Sequence, residues 1–140
     1  MLKKTMTYTD YDGVERTEDV YFNLSKAELI EMQISTDGGY DKMIERIINS
    51  KDMKSMGEIF RDLLRKSYGI KSDDGRRFMK SEEISDTFEQ SPIYSDIYME
   101  LLTNPDEAAK FVQAIMPSDL QKDIAKAIAD NSAPNLTPVD

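Results

Sequence analysis

The chain has 140 residues and a net charge of −9, and it contains no cysteine and no histidine. The missing residue types exclude disulfide bonds and thiolate chemistry, and they remove the commonest general base and metal ligand. The acidity disfavours nucleic-acid binding, and no apolar run reaches the roughly 18 residues of a membrane span. We therefore expect a cytoplasmic protein without cofactor or metal, which binds neither nucleic acid nor membrane.

Two β-rich segments begin the chain. Residues 2–9 and 14–24 are rich in β-branched and aromatic side chains, and they flank the turn from Asp10 to Gly13. This pattern predicts a β-hairpin over residues 1–24, with one face packed on helices, because an isolated hairpin is marginal in water. The turn is not a calcium loop, since that register places Tyr8 where the first carboxylate ligand is needed.

Residues 25–68 are predicted to be helical. The capping box Ser25-Lys26-Ala27-Glu28 begins a first helix. Apolar residues then recur at helical spacing within 40–48 and again within 53–64, which predicts two amphipathic helices. Arg65 lies in the last turn of the second of these, where the helix dipole favours a cation.

The segment that follows divides the chain in pattern. Asp73-Asp74-Gly75 predicts a tight turn in which Gly75 takes a positive φ. A short central hairpin is therefore expected over residues 69–80, with strands at 70–72 and 76–79. The hairpin carries the only compact basic cluster, which consists of Arg76 and Arg77 with Lys71 and Lys80 nearby. Two interpretations stay open for this cluster: it accepts an acidic partner or the acidic half of a neighbouring copy, or it is simply solvated.

The second half of the chain carries the whole net charge. Residues 1–80 hold 15 basic and 15 acidic side chains, whereas residues 81–140 hold 3 and 12. Start signals at Ser81, Ser91-Pro92, Asn104-Pro105 and Ser118 predict successive helices, so residues 81–130 form an acidic helical half. Residues 131–140 contain two prolines and no periodicity, which predicts a flexible tail.

These elements predict a mainly α fold of the α+β class. We expect one domain over residues 1–130, with about six helices, the N-terminal hairpin and the central hairpin. Acidic pairs such as Asp106-Glu107 fit the first turn of a helix better than an active site, so no catalytic residue is predicted. Two apolar helix faces are candidate interaction surfaces, shared between core, self-association and a partner; they comprise Ile93, Tyr94, Ile97, Tyr98 and Leu101, and Phe111, Val112 and Ile115.

Several segments resemble a known family. Residues 11–19, Tyr-Asp-Gly-Val-Glu-Arg-Thr-Glu-Asp, together with residues 21–28, are similar to the N-terminal signature of tail assembly chaperones from long-tailed, siphovirus-type phages and prophages of Gram-positive bacteria. Residues 68–78, 88–94 and 108–117 are similar to the same family. The resemblance implies a non-enzymatic chaperone that coats the tape-measure protein, keeps it soluble while the tail tube polymerises around it, and then leaves.

The resemblance also implies a homo-oligomer in the host cytoplasm that is absent from the mature virion. A frameshifted, C-terminally extended form would recruit the tail-tube protein. The alternative is a structural component retained in the particle, such as a tail-tube or tail-completion protein, which uses its hairpins to add strands to neighbours.

Overall fold

The computed structural model describes residues 1–35 and 52–118, together with the single positions 45 and 49. Within these residues the chain is α+β, with five helices and one four-stranded antiparallel sheet in the order β1-β2-β3-β4. The strands are β1 (Leu2–Thr9), β2 (Glu15–Phe22), β3 (Tyr68–Lys71) and β4 (Phe78–Met79), and the helices are α1 (Lys26–Ser35), α2 (Met53–Ser67), α3 (Glu82–Glu89), α4 (Pro92–Thr103) and α5 (Pro105–Ile115).

The expected count of about six helices therefore becomes five in the part of the chain that the structure describes. The helices predicted within 40–48 and after Ser118 lie outside the described residues, as does the predicted tail at 131–140. The remaining predicted helices all form, and their bounds differ from the expected ones by one or two residues at most.

The N-terminal hairpin is confirmed, and its turn is held by one carboxylate. Asp10 accepts hydrogen bonds from the backbone amides of Asp12 and Val14, at 2.9 and 2.8 Å, and from Arg16 Nε at 2.6 Å. Gly13 adopts a φ of 83°, a conformation that strains any residue with a side chain. The turn is therefore a rigid, acidic end to the β1–β2 ribbon.

The central hairpin is not a separate appendage. Strand β3 pairs with β2 through Tyr21 opposite Gly69 and Phe22 opposite Tyr68, which merges both predicted hairpins into one sheet. The pairing of β2 with β3 is fixed at the junction between α2 and β3. There the amide of Asn23, which follows β2, donates to the carbonyl of Ser67, the last residue of α2, at 2.8 Å. The outgoing strand is also shorter than predicted, since only Phe78–Met79 pairs with β3.

Helix capping follows the sequence signals. Ser25 and Glu28 exchange side-chain to backbone hydrogen bonds of 3.1 and 2.9 Å, which is the reciprocal pattern of a capping box. Ser81, Ser91 and Asn104 each accept a hydrogen bond from an amide in the first turn of α3, α4 and α5. These local bonds account for the accurate prediction of the helix starts.

The core joins both halves of the chain around one aromatic ring. Phe22 is fully buried, and its ring makes edge-to-face contacts with Tyr68, Phe88 and Phe111 at centroid distances of 5.8, 5.7 and 5.4 Å. Tyr68 also stacks on Phe88 with centroids 3.9 Å apart. Each such ring pair contributes about 0.5–1.5 kcal/mol beyond the area that it buries. The sheet and the acidic helices are therefore parts of one packed unit.

Candidate interaction surface

Most of the predicted interaction residues lie in the hydrophobic core. On α4 the buried row is formed by every fourth residue, and on α5 the buried face adjoins it; the side chains concerned are Ile93, Ile97, Leu101, Phe111, Val112 and Ile115. These side chains already pack against the rest of the domain. A role for them in contacting a partner stays a prediction, because a partner would have to displace part of the core to reach them.

A second apolar row on α4 is partly exposed. Tyr94, Tyr98 and Leu102 follow one another at spacing four, beside the buried row, and each packs against the edge of the core. The rings of Tyr94 and Tyr98 stack with their centroids 5.6 Å apart. Of the predicted interaction residues on α4, the two tyrosines are thus the ones with surface available to a partner.

Helix α2 packs closely against this row. Gly57 of α2 is buried beneath Tyr98 of α4, whereas Met56 and Ile59 are partly buried at the edge of the core. The Tyr98 hydroxyl occupies the space that a Cβ at position 57 would need, so the glycine allows the two helices to approach closely. We call the partly exposed row Tyr94, Tyr98 and Leu102, together with Gly57 beneath it, the α2–α4 strip.

An ion-pair network clamps α2 to α3 through Arg61 and Arg65, which follow Gly57 along α2 at spacing four. Arg65 reaches Asp86 at 2.8 Å and Glu82 at 3.1 Å, and its other terminal nitrogen reaches Glu89 at 3.1 Å. Arg61 Nε adds a second contact to Glu89 at 3.0 Å. Burial alone would raise the pKa of Glu89, but the hydrogen bonds from Arg61 and Arg65 outweigh it and hold that pKa below its ordinary value.

Sequence reasoning missed this network because it assigned Arg65 to the dipole of its own helix. The signal was nevertheless present, since Glu82, Asp86 and Glu89 follow at spacings of four and three and therefore share one face of α3. An open depression of about 670 Å³ adjoins the network; it is lined by Asn49, Ser55, Glu58, Ile59, Arg61, Asp62 and Arg65. The surface beside the strip is thus mixed in charge and accessible from solvent.

Lys80 was also missed as a structural residue. Its ammonium donates to the carbonyl of Asn23 at 2.6 Å, to Glu28 Oε2 at 2.7 Å and to the carbonyl of Lys66 at 2.8 Å. One side chain thereby ties together the end of β2, the start of α1 and the end of α2. Three acceptors that converge on one nitrogen suit an ammonium, which has three donors.

The predicted basic cluster is consequently smaller than expected. Lys80 is engaged internally, and Lys71 Nζ lies 4.5 Å above the Tyr21 ring. Arg76 and Arg77 are exposed at the end of the central hairpin, where their backbone amides bond to Asp74 and Ser72. In the described structure neither guanidinium has an ion-pair partner, so both are available to an acidic surface.

The described residues contain no metal site, no unpaired buried polar side-chain atom and no membrane-spanning helix. Over 1–35 and 52–118, no group of carboxylates is arranged to hold a metal ion. Every buried polar side-chain atom in the same ranges has a hydrogen-bond partner. No helix in these ranges is long and apolar enough to cross a membrane. What the geometry presents is a partly exposed apolar strip beside charged groups, which resembles the apolar centre and polar rim of a protein–protein interface.

Comparison with known proteins then gives the family. A family model described as phage tail assembly chaperone matches residues 1–139. Because the match spans nearly the whole chain, this chain belongs to the phage tail assembly chaperone family, which confirms the resemblance noted in its sequence. No curated protein and no solved structure matches it. Membership makes the chain a chaperone of tail assembly that interacts with other tail proteins.

Proposed function

We propose that this chain binds the phage tape-measure protein and keeps it soluble during tail assembly. It acts in the host cytoplasm without catalysis or cofactor, and it leaves before the virion is complete. The observation that carries the proposal is the family match over residues 1–139. A C-terminally extended form of the same chain would recruit the tail-tube protein to the coated client.

The α2–α4 strip is the surface that we assign to the client. A tape-measure protein is long and largely helical, so an unassembled copy exposes an apolar face that needs cover. An amphipathic helix binds a groove through apolar residues spaced by three and four, and Tyr94, Tyr98 and Leu102 supply a complementary row.

The size of the strip argues for many copies on one client. Eight residues separate Tyr94 from Leu102, which corresponds to about 12 Å along a helix at 1.5 Å per residue. One copy therefore covers about two turns of a client helix. A ruler protein of hundreds of residues needs a coat of many copies, and we include self-association of the chaperone in the proposal.

Co-expression with the tape-measure protein of the same phage tests the proposal. The expected result is that the tape measure becomes soluble only when the chaperone is present, in a complex whose mass by light scattering corresponds to many chaperone copies. If the tape measure stays insoluble and the chaperone elutes alone, the proposal fails. Detection of the chain in purified particles would instead favour the structural component that the sequence left open.

A pair of charge variants tests the assigned surface. Leu102→Glu places a carboxylate in the strip, whereas Thr103→Glu adds the same charge at the next, exposed position of α4. We expect Leu102→Glu to lose most of the client solubilised in co-expression and Thr103→Glu to retain it, with both variants folded by circular dichroism. Equal solubilisation by the two variants would remove the strip from the proposal.

A further inference from the structure

Strand β1 has a free edge. It pairs along all eight of its residues with β2, and it is the first strand in the order β1-β2-β3-β4, so no strand of the described chain covers its other side. The residues on its outward face, including Thr5 and Thr7, are exposed to solvent. A strand in this position presents unpaired backbone groups to any second strand that approaches.

The hairpin geometry identifies which backbone groups point outward. The amide of Asp10 donates to the carbonyl of Val14, opposite it in the register, at 2.8 Å, which makes this a hydrogen-bonded pair. Because such pairs alternate along an antiparallel ribbon, the even-numbered residues of β1 bond to β2. The odd-numbered ones, Lys3, Thr5, Thr7 and Thr9, direct their N–H and C=O groups to the free edge, where the described structure contains no backbone partner for them.

Beyond Lys3 and Lys4, this edge lacks the protection that sheet edges usually carry. From Thr5 to Thr9 the strand contains no charge, no proline and no bulge. The opposite edge of the same ribbon, where β2 extends beyond β3, carries Glu15, Arg16, Glu18 and Asp19. Charged side chains at an edge discourage strand pairing, so the two edges of one ribbon differ in their readiness to bind another strand.

The charges along the ribbon favour one particular occupant. The start of β1 carries Lys3 and Lys4, whose ammonium groups lie 3.6 Å from Asp19 and 3.4 Å from Glu100 of the same chain. The turn end carries the carboxylates Asp12 and Glu15, which have no ion-pair partner in the described structure, beside the Asp10–Arg16 ion pair. The first end therefore has the more basic side chains of β1, and the second end is net acidic. Two copies that pair in antiparallel fashion through β1 place the basic end of each beside the acidic end of the other. A parallel arrangement would instead set like charges side by side, which is unfavourable.

We propose that β1 pairs with β1 of a second copy of this chain, antiparallel and about a two-fold axis, and that the two four-stranded sheets become one continuous eight-stranded sheet. In the register that sets Thr5 of one copy opposite Thr7 of the other, threonines face each other on the outward face and no lysine faces a lysine. The proposal locates the self-association that the proposed function uses and to that extent rests on it, but its test needs no client protein.

Two proline variants form a matched test. Thr7 and Thr17 face each other in the register and share a hydroxyl hydrogen bond of 2.9 Å. Their backbone amides point to opposite edges of the ribbon, so proline at either position leaves the β1–β2 bonds in place and removes one outward N–H. Thr7→Pro blocks the free edge of β1, whereas Thr17→Pro alters only the outer edge of β2.

Sedimentation velocity of the full chain over a wide concentration range measures the outcome. We expect wild type and Thr17→Pro to reach twice the monomer mass of 16.0 kDa, and Thr7→Pro to stay at 16.0 kDa while retaining its circular dichroism. A wild type that remains monomeric overturns the proposal, and so does a folded Thr7→Pro variant that still dimerises. A dimer that forms while the client stays insoluble would separate this proposal from the function proposed above.

Hydrogen exchange of the unmodified chain gives a second measurement, which stands even if Thr7→Pro fails to fold. The amides of Thr5, Thr7 and Thr9 should become protected as the protein concentration rises, while the even-numbered amides of β1 are protected throughout. Outward amides that exchange rapidly at every concentration would refute the pairing.

Discussion

Replacement of Lys80 by methionine should destabilise the domain much more than the loss of an ordinary exposed charge. The ammonium is the shared donor to two main-chain carbonyls and one carboxylate, all within 2.8 Å, and the side chain is only 20% exposed. Methionine has a similar length and fills the same space, so the variant removes the three hydrogen bonds with little change in packing. The carbonyls of Asn23 and Lys66 then lose a partner at the junction of a strand and two helices.

The magnitude follows from the number and type of these bonds. A hydrogen bond to a charged group is worth about 1.5–3 kcal/mol, and water can reach the vacated acceptors, so we expect a loss of about 2–4 kcal/mol in the free energy of unfolding. Lys110→Met is the matched control, because that side chain is 74% exposed and makes one contact of 3.5 Å. It should change the free energy of unfolding by no more than about 0.5 kcal/mol.

Urea unfolding followed by circular dichroism measures both values. We expect Lys80→Met to lower the midpoint with an unchanged slope, and Lys80→Arg to recover only part of the loss, because a planar guanidinium cannot direct three donors from a single nitrogen. Unfolding of Lys80→Met at the same urea concentration as Lys110→Met would refute the structural role assigned to the ammonium.

Three further variants probe the packing and the titrating groups. A Cβ at Gly69 would lie 2.7 Å from the Phe78 ring, so Gly69→Ala should lower the free energy of unfolding, measured in urea, by about 1–3 kcal/mol; an unchanged value would contradict this. Because its pKa is lowered in the folded state, ionised Glu89 stabilises the fold at pH values above 4.5, the ordinary pKa of a glutamate. This stabilisation is lost as the pH falls through the lowered pKa. Glu89→Gln should therefore flatten the acid side of a plot of stability against pH, and a curve parallel to wild type would count against the ion pairs. Burial, assisted by the charge of Glu89, raises the pKa of Tyr94 from 10.0 to about 12. The stability that neutral Tyr94 contributes to the fold is therefore present below pH 10.0 and lost as the pH rises through about 12. In thermal melts, Tyr94→Phe should lose less stability than wild type between pH 10.0 and about 12. An equal loss in both proteins would show that Tyr94 is not a source of the alkaline loss of stability.

Features that depend on neighbours in the sequence could be predicted. The capping box at Ser25, the Asn104-Pro105 start of α5 and the positive φ of Gly75 each depend on a few adjacent residues, and all are present in the structure. The N-terminal hairpin was predictable for the same reason, since its two strands and its turn are contiguous.

Features that join distant segments could not be derived in the same way. The pairing of β2 with β3 and the three bonds of Lys80 link residues that are far apart in the sequence. Helical periodicity identified the apolar face of α4, but it does not distinguish a face that packs in a core from one that binds a partner. Ile97 is fully buried, whereas Tyr98 beside it is partly exposed, and that difference depends on tertiary packing that the periodicity does not encode.

The contact between Phe22 and Phe111 has a consequence for synthesis on the ribosome. The first strand pair can form early, but the ring of Phe22 completes its surroundings only when α5 has emerged. Because contacts between distant segments form late and slow folding, the apolar surface around Phe22 stays incompletely covered until α5 has been synthesised, even after Tyr68 and Phe88 are in place. A ribosome that stalls before α5 would therefore release an aggregation-prone fragment, and the chaperone itself is vulnerable until its last described helix is made.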